Sequence, residues 1–162
     1  MEIQSKTSDH LFEKIIAVPL AEENSTKAIA TLAEIMRQNG FVTDEFGKAV
    51  VDREFLFPTG IPTEVPVALP HADAQYSLRT ALAVGVPDKP ITFGLMGGDE
   101  NEKVDVRLIF MLSLPDPKSQ IKMIRKMVTL FRNGNIMKRL LSAENPDKLK
   151  IMLINYFSES KL

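Results

Sequence analysis

Two histidines stand among the 162 residues. One of them, His71, follows directly on Val67-Ala68-Leu69-Pro70, a buried-strand run closed by a proline. Strand ends beside loops are where a rigid scaffold holds a reactive group within reach of solvent. Pro70 also restricts the backbone just ahead of the ring. A neutral imidazole near its ordinary pKa is a competent nucleophile at neutral pH. A serine triad would need a nucleophile elbow of the Gly-x-Ser-x-Gly type, which the sequence lacks. A catalytic zinc would need two or three histidines or a carboxylate set, and only His10 and Asp73 stand as further ligands to His71. The remaining use of the ring is as an acceptor, with a phosphoryl group transferred onto a ring nitrogen.

Such a transfer asks for positive charge near the three equatorial oxygens, over which the transition state spreads its charge. Arg53 precedes the Pro58-Thr59-Gly60 turn, and an arginine fork holds two phosphate oxygens at once. A solvated arginine at a helix end accounts for the same residue equally well. Thr59 offers a hydroxyl donor, although forming the turn is role enough for it. Gln120 falls on the helical arc of Ile124, Met127 and Phe131, whereas Lys118, Lys122, Arg125 and Arg132 point the other way. A polar side chain on an inward arc needs a partner or a wet pocket. That partner is either a strand end or the pocket that holds His71.

The elements that must position these residues are legible from periodicity. An apolar stretch around Leu11 to Val18 reads as a strand ending at Pro19. Ser25 offers an N-cap to a helix carrying Ala28, Ile29, Leu32, Ile35 and Met36, which Gly40 stops. A second helix runs from a Thr43 cap through Phe46, Val50 and Val51 to Glu54. Pro58-Thr59-Gly60-Ile61-Pro62 reads as a compact turn. Strands follow at Val65 to Leu69, Thr80 to Val86, Ile91 to Phe93, and Val104 to Leu114, the last as a central strand. Asp116-Pro117 and Asn145-Pro146 each give a cap-then-proline start to a helix. The first carries an inward stripe of Ile121, Ile124, Met127, Val128 and Phe131, the second one of Leu149, Met152, Leu153 and Phe157. The order predicts an α/β fold with a mixed sheet and helices packed on it.

The chain has the length of one domain, 1–162, and can bury a core without disulfide or metal. It has no cysteine, which removes thiolate metal sites and thiol catalysis. No signal segment or apolar run of spanning length is present, so a soluble cytoplasmic protein is expected. Twenty basic residues against twenty-one acidic ones argue against nucleic-acid binding, which needs a basic surplus on one face.

Three pieces together resemble the enzyme IIA component of the bacterial sugar phosphotransferase system, in its fructose/mannitol superfamily. They are Arg53-Glu54 leading into Pro58-Thr59-Gly60-Ile61, the Val67 to Asp73 stretch, and Val104-Asp105-Val106-Arg107-Leu108-Ile109-Phe110-Met111-Leu112. Phe93-Gly94-Leu95-Met96-Gly97 and Asp116-Pro117-Lys118-Ser119-Gln120 resemble the galactitol-type branch most. The resemblance implies a mixed sheet sandwiched between helices. It implies phosphorylation of His71 on Nε2 by the carrier HPr, with Arg53 beside the phosphate, and onward transfer to a IIB component. The membrane IIC component takes part only indirectly, and neither cofactor nor metal is required. Gln120 stands where many members carry a second active-site histidine. Glutamine can donate a hydrogen bond there but cannot carry a proton. Three rivals remain: a regulatory IIA-like protein that signals by the phosphorylation state of His71; a non-catalytic interaction domain of this fold, as in anion exchangers; and a metal-dependent hydrolase using His71 and Asp73.

Overall fold

The computed structural model describes residues 11–159; His10 lies outside the described residues. Strand β1 (Lys14–Leu20) leads to helices α1 (Ser25–Gln38) and α2 (Phe46–Leu56). Two short strands follow, β2 (Gly60–Ile61) and β3 (Val67–Ala68), then β4 (Ala81–Pro87), β5 (Ile91–Gly94), β6 (Lys103–Val106) and β7 (Leu108–Ser113). Helices α3 (Pro117–Arg132), α4 (Gly134–Leu141) and α5 (Pro146–Glu159) complete the described chain. Five strands form one sheet in the order β1-β4-β7-β3-β2, and β5 and β6 form a separate antiparallel hairpin. The main sheet is mixed: β1 lies parallel to β4 and β3 parallel to β7, whereas β4–β7 and β2–β3 are antiparallel.

Successive side chains of a strand point to opposite faces, and β7 shows what this sheet requires of them. Leu108, Phe110 and Leu112 join a cluster with Met127, Phe131, Met137, Leu140, Leu149 and Leu153 of the three C-terminal helices. Ile109 and Met111 join a second cluster with Ile29, Leu32 and Met36 of α1, Phe46 and Val50 of α2, and the β5–β6 hairpin. A strand covered on both faces has no polar alternation to show, hence its uninterrupted apolar run. The expected sandwich of sheet between helices is the observed architecture.

Several expected boundaries move. Pro19 does not end β1 but lies within it, paired in register with Val86. It is tolerated because β1 is an edge strand, where a missing N–H breaks no ladder on the open side. Asn24, not Ser25, caps α1, accepting the Lys27 N–H at 2.9 Å. Gly40 stops that helix as expected, with φ +78°. Thr43 contributes to the start of α2 only its carbonyl, which accepts the Phe46 N–H at 3.2 Å; Glu45 is the capping position. The turn at Pro58 opens into strand at Gly60–Ile61.

The single strand expected from Val104 to Leu114 is two strands in different sheets. The break falls at Arg107, whose N–H bonds to the Pro66 carbonyl at 2.8 Å as the chain leaves the hairpin for the main sheet. In α3 the Asp116 carboxylate accepts the Lys118 N–H and Pro117 takes the first turn, as the sequence predicts. The buried stripe, however, is Met123, Met127, Leu130 and Phe131, and Ile121 faces solvent. Among the described residues no helix is long and apolar enough to cross a membrane.

Candidate functional site

His71 sits three residues past the end of β3, directly after Pro70, whose carbonyl accepts the Leu112 N–H at 3.3 Å. The ring is half-buried, and its Nδ1 lies 2.7 Å from the Leu69 carbonyl. A carbonyl only accepts, so Nδ1 carries the proton and the lone pair of the neutral ring is on Nε2. Burial holds the imidazole below the usual histidine range, and the positive charge of Arg53 acts in the same direction. The Leu69 carbonyl and the Asp73 carboxylate oppose them. The net effect keeps the ring neutral, with one nitrogen occupied and one free.

Arg53 arrives from the last turn of α2, where a cation suits the negative end of the helix. Its guanidinium lies 5.6 Å from the centre of the Phe57 ring and meets the Asp73 carboxylate only loosely, at 3.5 Å. Its Nε is buried without a partner among the described residues. With its side chain 39 % exposed, the guanidinium keeps its outer donors open to solvent. Its charge is close enough to be felt at His71.

Behind this pair stands a group that the sequence does not advertise. Glu54 is buried, and both of its carboxylate oxygens receive hydrogen bonds from Thr59, one from the N–H at 2.7 Å and one from the hydroxyl at 2.8 Å. The Thr59 oxygen in turn accepts the Leu69 N–H at 3.1 Å. Burial pushes the Glu54 carboxyl up from its ordinary pKa, and the two bonds from Thr59 restrain that rise. Thr59 is 3 % exposed and its proton is directed at Glu54, so its hydroxyl is not the free donor considered from sequence. What could have drawn attention to Glu54 is its place beside Arg53; nothing in the helical pattern marked it as buried.

Gln120 is inward, as its helical angle predicts. Its amide nitrogen bonds to the Leu114 carbonyl at 3.4 Å, just past the end of β7, and to the Ala72 carbonyl at 3.3 Å. The strand-end partner and the neighbourhood of His71 therefore turn out to be one place. The structure brings His71, Arg53 and Asp73 together on one side, with Gln120 fastening α3 to the residue after the histidine. Beside them lies exposed apolar surface: Phe57, whose ring faces the Arg53 guanidinium, is 62 % exposed, and Ile121, next to Gln120 in α3, is 65 % exposed. Phe55 and Leu56, 87 % and 68 % exposed, line a groove with Gly94, Asp99 and Lys103. Unpaired apolar side chains in consecutive positions are unusual on a surface that meets only water.

A family model described as the phosphoenolpyruvate-dependent sugar phosphotransferase system, EIIA 2, matches residues 9–156. The chain is similar to the galactitol-specific EIIA component of the phosphotransferase system in Escherichia coli, 26 % identical over 118 residues that span 72 % of this chain and 77 % of that one. It is also similar to the transcriptional regulator ManR of Bacillus subtilis, 32 % identical over 92 residues, which are 57 % of this chain but 13 % of the regulator. Among solved structures, the complex of enzyme IIA mannitol with phosphorylated enzyme IIB mannitol from Escherichia coli matches with a TM-score of 0.69 and 21 % identity. That match covers 87 % of this chain and 94 % of the other.

Proposed function

The chain belongs to the EIIA 2 family of the phosphoenolpyruvate-dependent sugar phosphotransferase system, and from that premise we propose that His71 carries the phosphoryl group, on Nε2, between a phosphohistidine donor and a IIB acceptor. The observation that carries this reading is the 2.7 Å contact of Nδ1 with the Leu69 carbonyl, which leaves Nε2 as the free lone pair. The lone pair attacks phosphorus in line; the Nε2–P bond forms as the N–P bond of the donor breaks, and the proton stays on Nδ1. As the ring becomes cationic, the Leu69 carbonyl stabilises it. Arg53 neutralises the equatorial oxygens. Nothing in the exchange between two nitrogens requires a metal, and catalysis is alignment plus electrostatics.

HPr is the donor we propose, by membership in the family. The likeness to a galactitol-specific EIIA supports a galactitol-like polyol as the sugar taken up downstream, with IIC engaged only through IIB. Phe57, against Arg53, and Ile121, beside Gln120, supply the shallow apolar surface on which both partners dock in turn, weakly enough to release. The carrier works in the cytoplasm as one domain. Gln120, with its amide directed at two backbone carbonyls, holds α3 to the site and relays no proton.

The test is intact mass after incubation with phosphoenolpyruvate, enzyme I and HPr, for wild type and His71→Ala. Gain of one acid-labile phosphoryl group in the wild type alone is expected. No gain, with HPr shown to be active on another acceptor, sinks the carrier reading. A regulatory role is the second reading, favoured by the likeness to ManR. Discharge of the phosphorylated chain by a IIB component separates the two, since a purely regulatory protein has no such acceptor.

A further inference from the structure

We infer that Glu54 is a positioning residue for His71: it fixes Thr59, Thr59 fixes the backbone of Leu69, and the Leu69 carbonyl selects the ring tautomer that leaves Nε2 free. The inference rests on the phosphocarrier reading for its consequence, but its physical content is independent of it. Four hydrogen bonds form the chain. The Thr59 N–H and hydroxyl donate to the two oxygens of Glu54 at 2.7 and 2.8 Å, the Leu69 N–H donates to the Thr59 oxygen at 3.1 Å, and His71 Nδ1–H donates to the Leu69 carbonyl at 2.7 Å.

The chain is directional. Only a carboxylate accepts from both Thr59 donors at once, because an amide in its place presents one acceptor and one donor. With the Thr59 proton committed to Glu54, the hydroxyl oxygen has its lone pairs for the Leu69 N–H and not for another donor. Glu54, Thr59 and Leu69 are buried, so none of the three can substitute water for a lost partner cheaply. A carboxylate in a site this dry is otherwise unfavourable, and the arrangement that compensates it ends on the reactive ring.

A carboxylate that served only to hold the fold would leave the tautomer of His71 untouched, and this distinguishes the two roles. Long-range ¹⁵N–¹H spectra of the ring, with His71→Gln used to separate His71 from His10, report which nitrogen carries the proton. Wild type is expected in the Nδ1–H form. Glu54→Gln and Thr59→Val shift the population toward Nε2–H by about fivefold, one net hydrogen bond's worth. Both also slow phosphoryl uptake from HPr by about tenfold or more, as misplacement of a reacting atom does. Thr59→Ser, which keeps the hydroxyl, restores both readouts. Thr59→Val removes only the hydroxyl and keeps the shape, so the experiment stays decisive should Glu54→Gln not fold. A wild-type ring in the Nε2–H form overturns the inference, as does an unchanged tautomer ratio in the folded variants. The spectra need no phosphoryl donor. A wild type that shows the tautomer shift with its variants but takes up no phosphate would overturn the carrier reading and leave the positioning role standing.

Discussion

Gly60→Ala is the substitution whose outcome the geometry fixes most closely. A β-carbon at residue 60 would lie 2.5 Å from the Gly94 carbonyl oxygen, 3.2 Å from Val104 Cβ and 3.3 Å from Phe93 Cβ. Ordinary contact begins at 3.4 Å, so the chain must move by nearly an ångström against a backbone oxygen. That oxygen cannot rotate away, because Gly94 is paired with Lys103 in the β5–β6 hairpin. Residue 60 is itself held, paired with Ala68 and accepting the Met96 N–H at 2.8 Å. Overpacking of this kind costs about 1–3 kcal/mol. The gain from stiffening the unfolded chain, about 0.4–1 kcal/mol, offsets part of it. A net loss of about 1–2 kcal/mol remains, which lowers Tm by roughly 3–6 °C for a chain of this length. Because Gly60 adjoins Thr59, the displacement also reaches the His71 site, and phosphoryl uptake falls with stability. Thermal unfolding of wild type and variant under identical conditions is the assay. A Tm equal to or above that of wild type would refute the reasoning, because it would mean that the close approach is not rigid.

Other outcomes follow from the same geometry. NMR titration of His71 places its pKa below the ordinary histidine value; Arg53→Gln raises it and Asp73→Asn lowers it further, since those two charges act in opposite directions. Because the folded pKa is the depressed one, the stability this group contributes is present above about pH 6.5 and is lost as pH falls through the folded value. His71→Gln should remove that part of the acid-side loss in urea unfolding at a series of pH values. Arg53→Gln reduces the rate of phosphoryl uptake by about a hundredfold while leaving the fold intact, as loss of one preorganised charge donor does. Phe57→Asp puts a charge on the exposed apolar surface, and the expected signature is weaker saturation by HPr with a smaller effect on the maximal rate; an unchanged KM would remove Phe57 from the docking surface.

Much of the frame was legible along the chain because the signals that set it are local. Asp116-Pro117 and Asn145-Pro146 start helices where they predict, since a cap and a proline act on their own first turn. The inward placement of Gln120 followed from helical angle, and the strand-to-proline approach to His71 from a handful of adjacent residues. The run ending at Leu114 marked a central strand, although its expected start at Val104 belongs to the separate β5–β6 hairpin.

What local signals could not decide is which of two possible faces packs, and which polar groups end up dry. In α3 the cations leave two neighbouring apolar stripes open, and contact with the sheet selected Met123, Met127 and Leu130 over Ile121. A break at Arg107 and a proline inside β1 depend on which strands lie alongside, a fact absent from either segment alone. Glu54 is the clearest case. A glutamate in the last turn of a helix reads as solvated, and it becomes a buried anchor only because the chain folds Thr59 back against it and lays Leu69 on Thr59. The sequence thus placed His71 directly after an apolar strand run and a proline, and left Arg53 open between a phosphate ligand and a solvated helix end. The tertiary structure decided which nitrogen of His71 is free, because a tautomer is set by the partner across the ring and not by the residues before it.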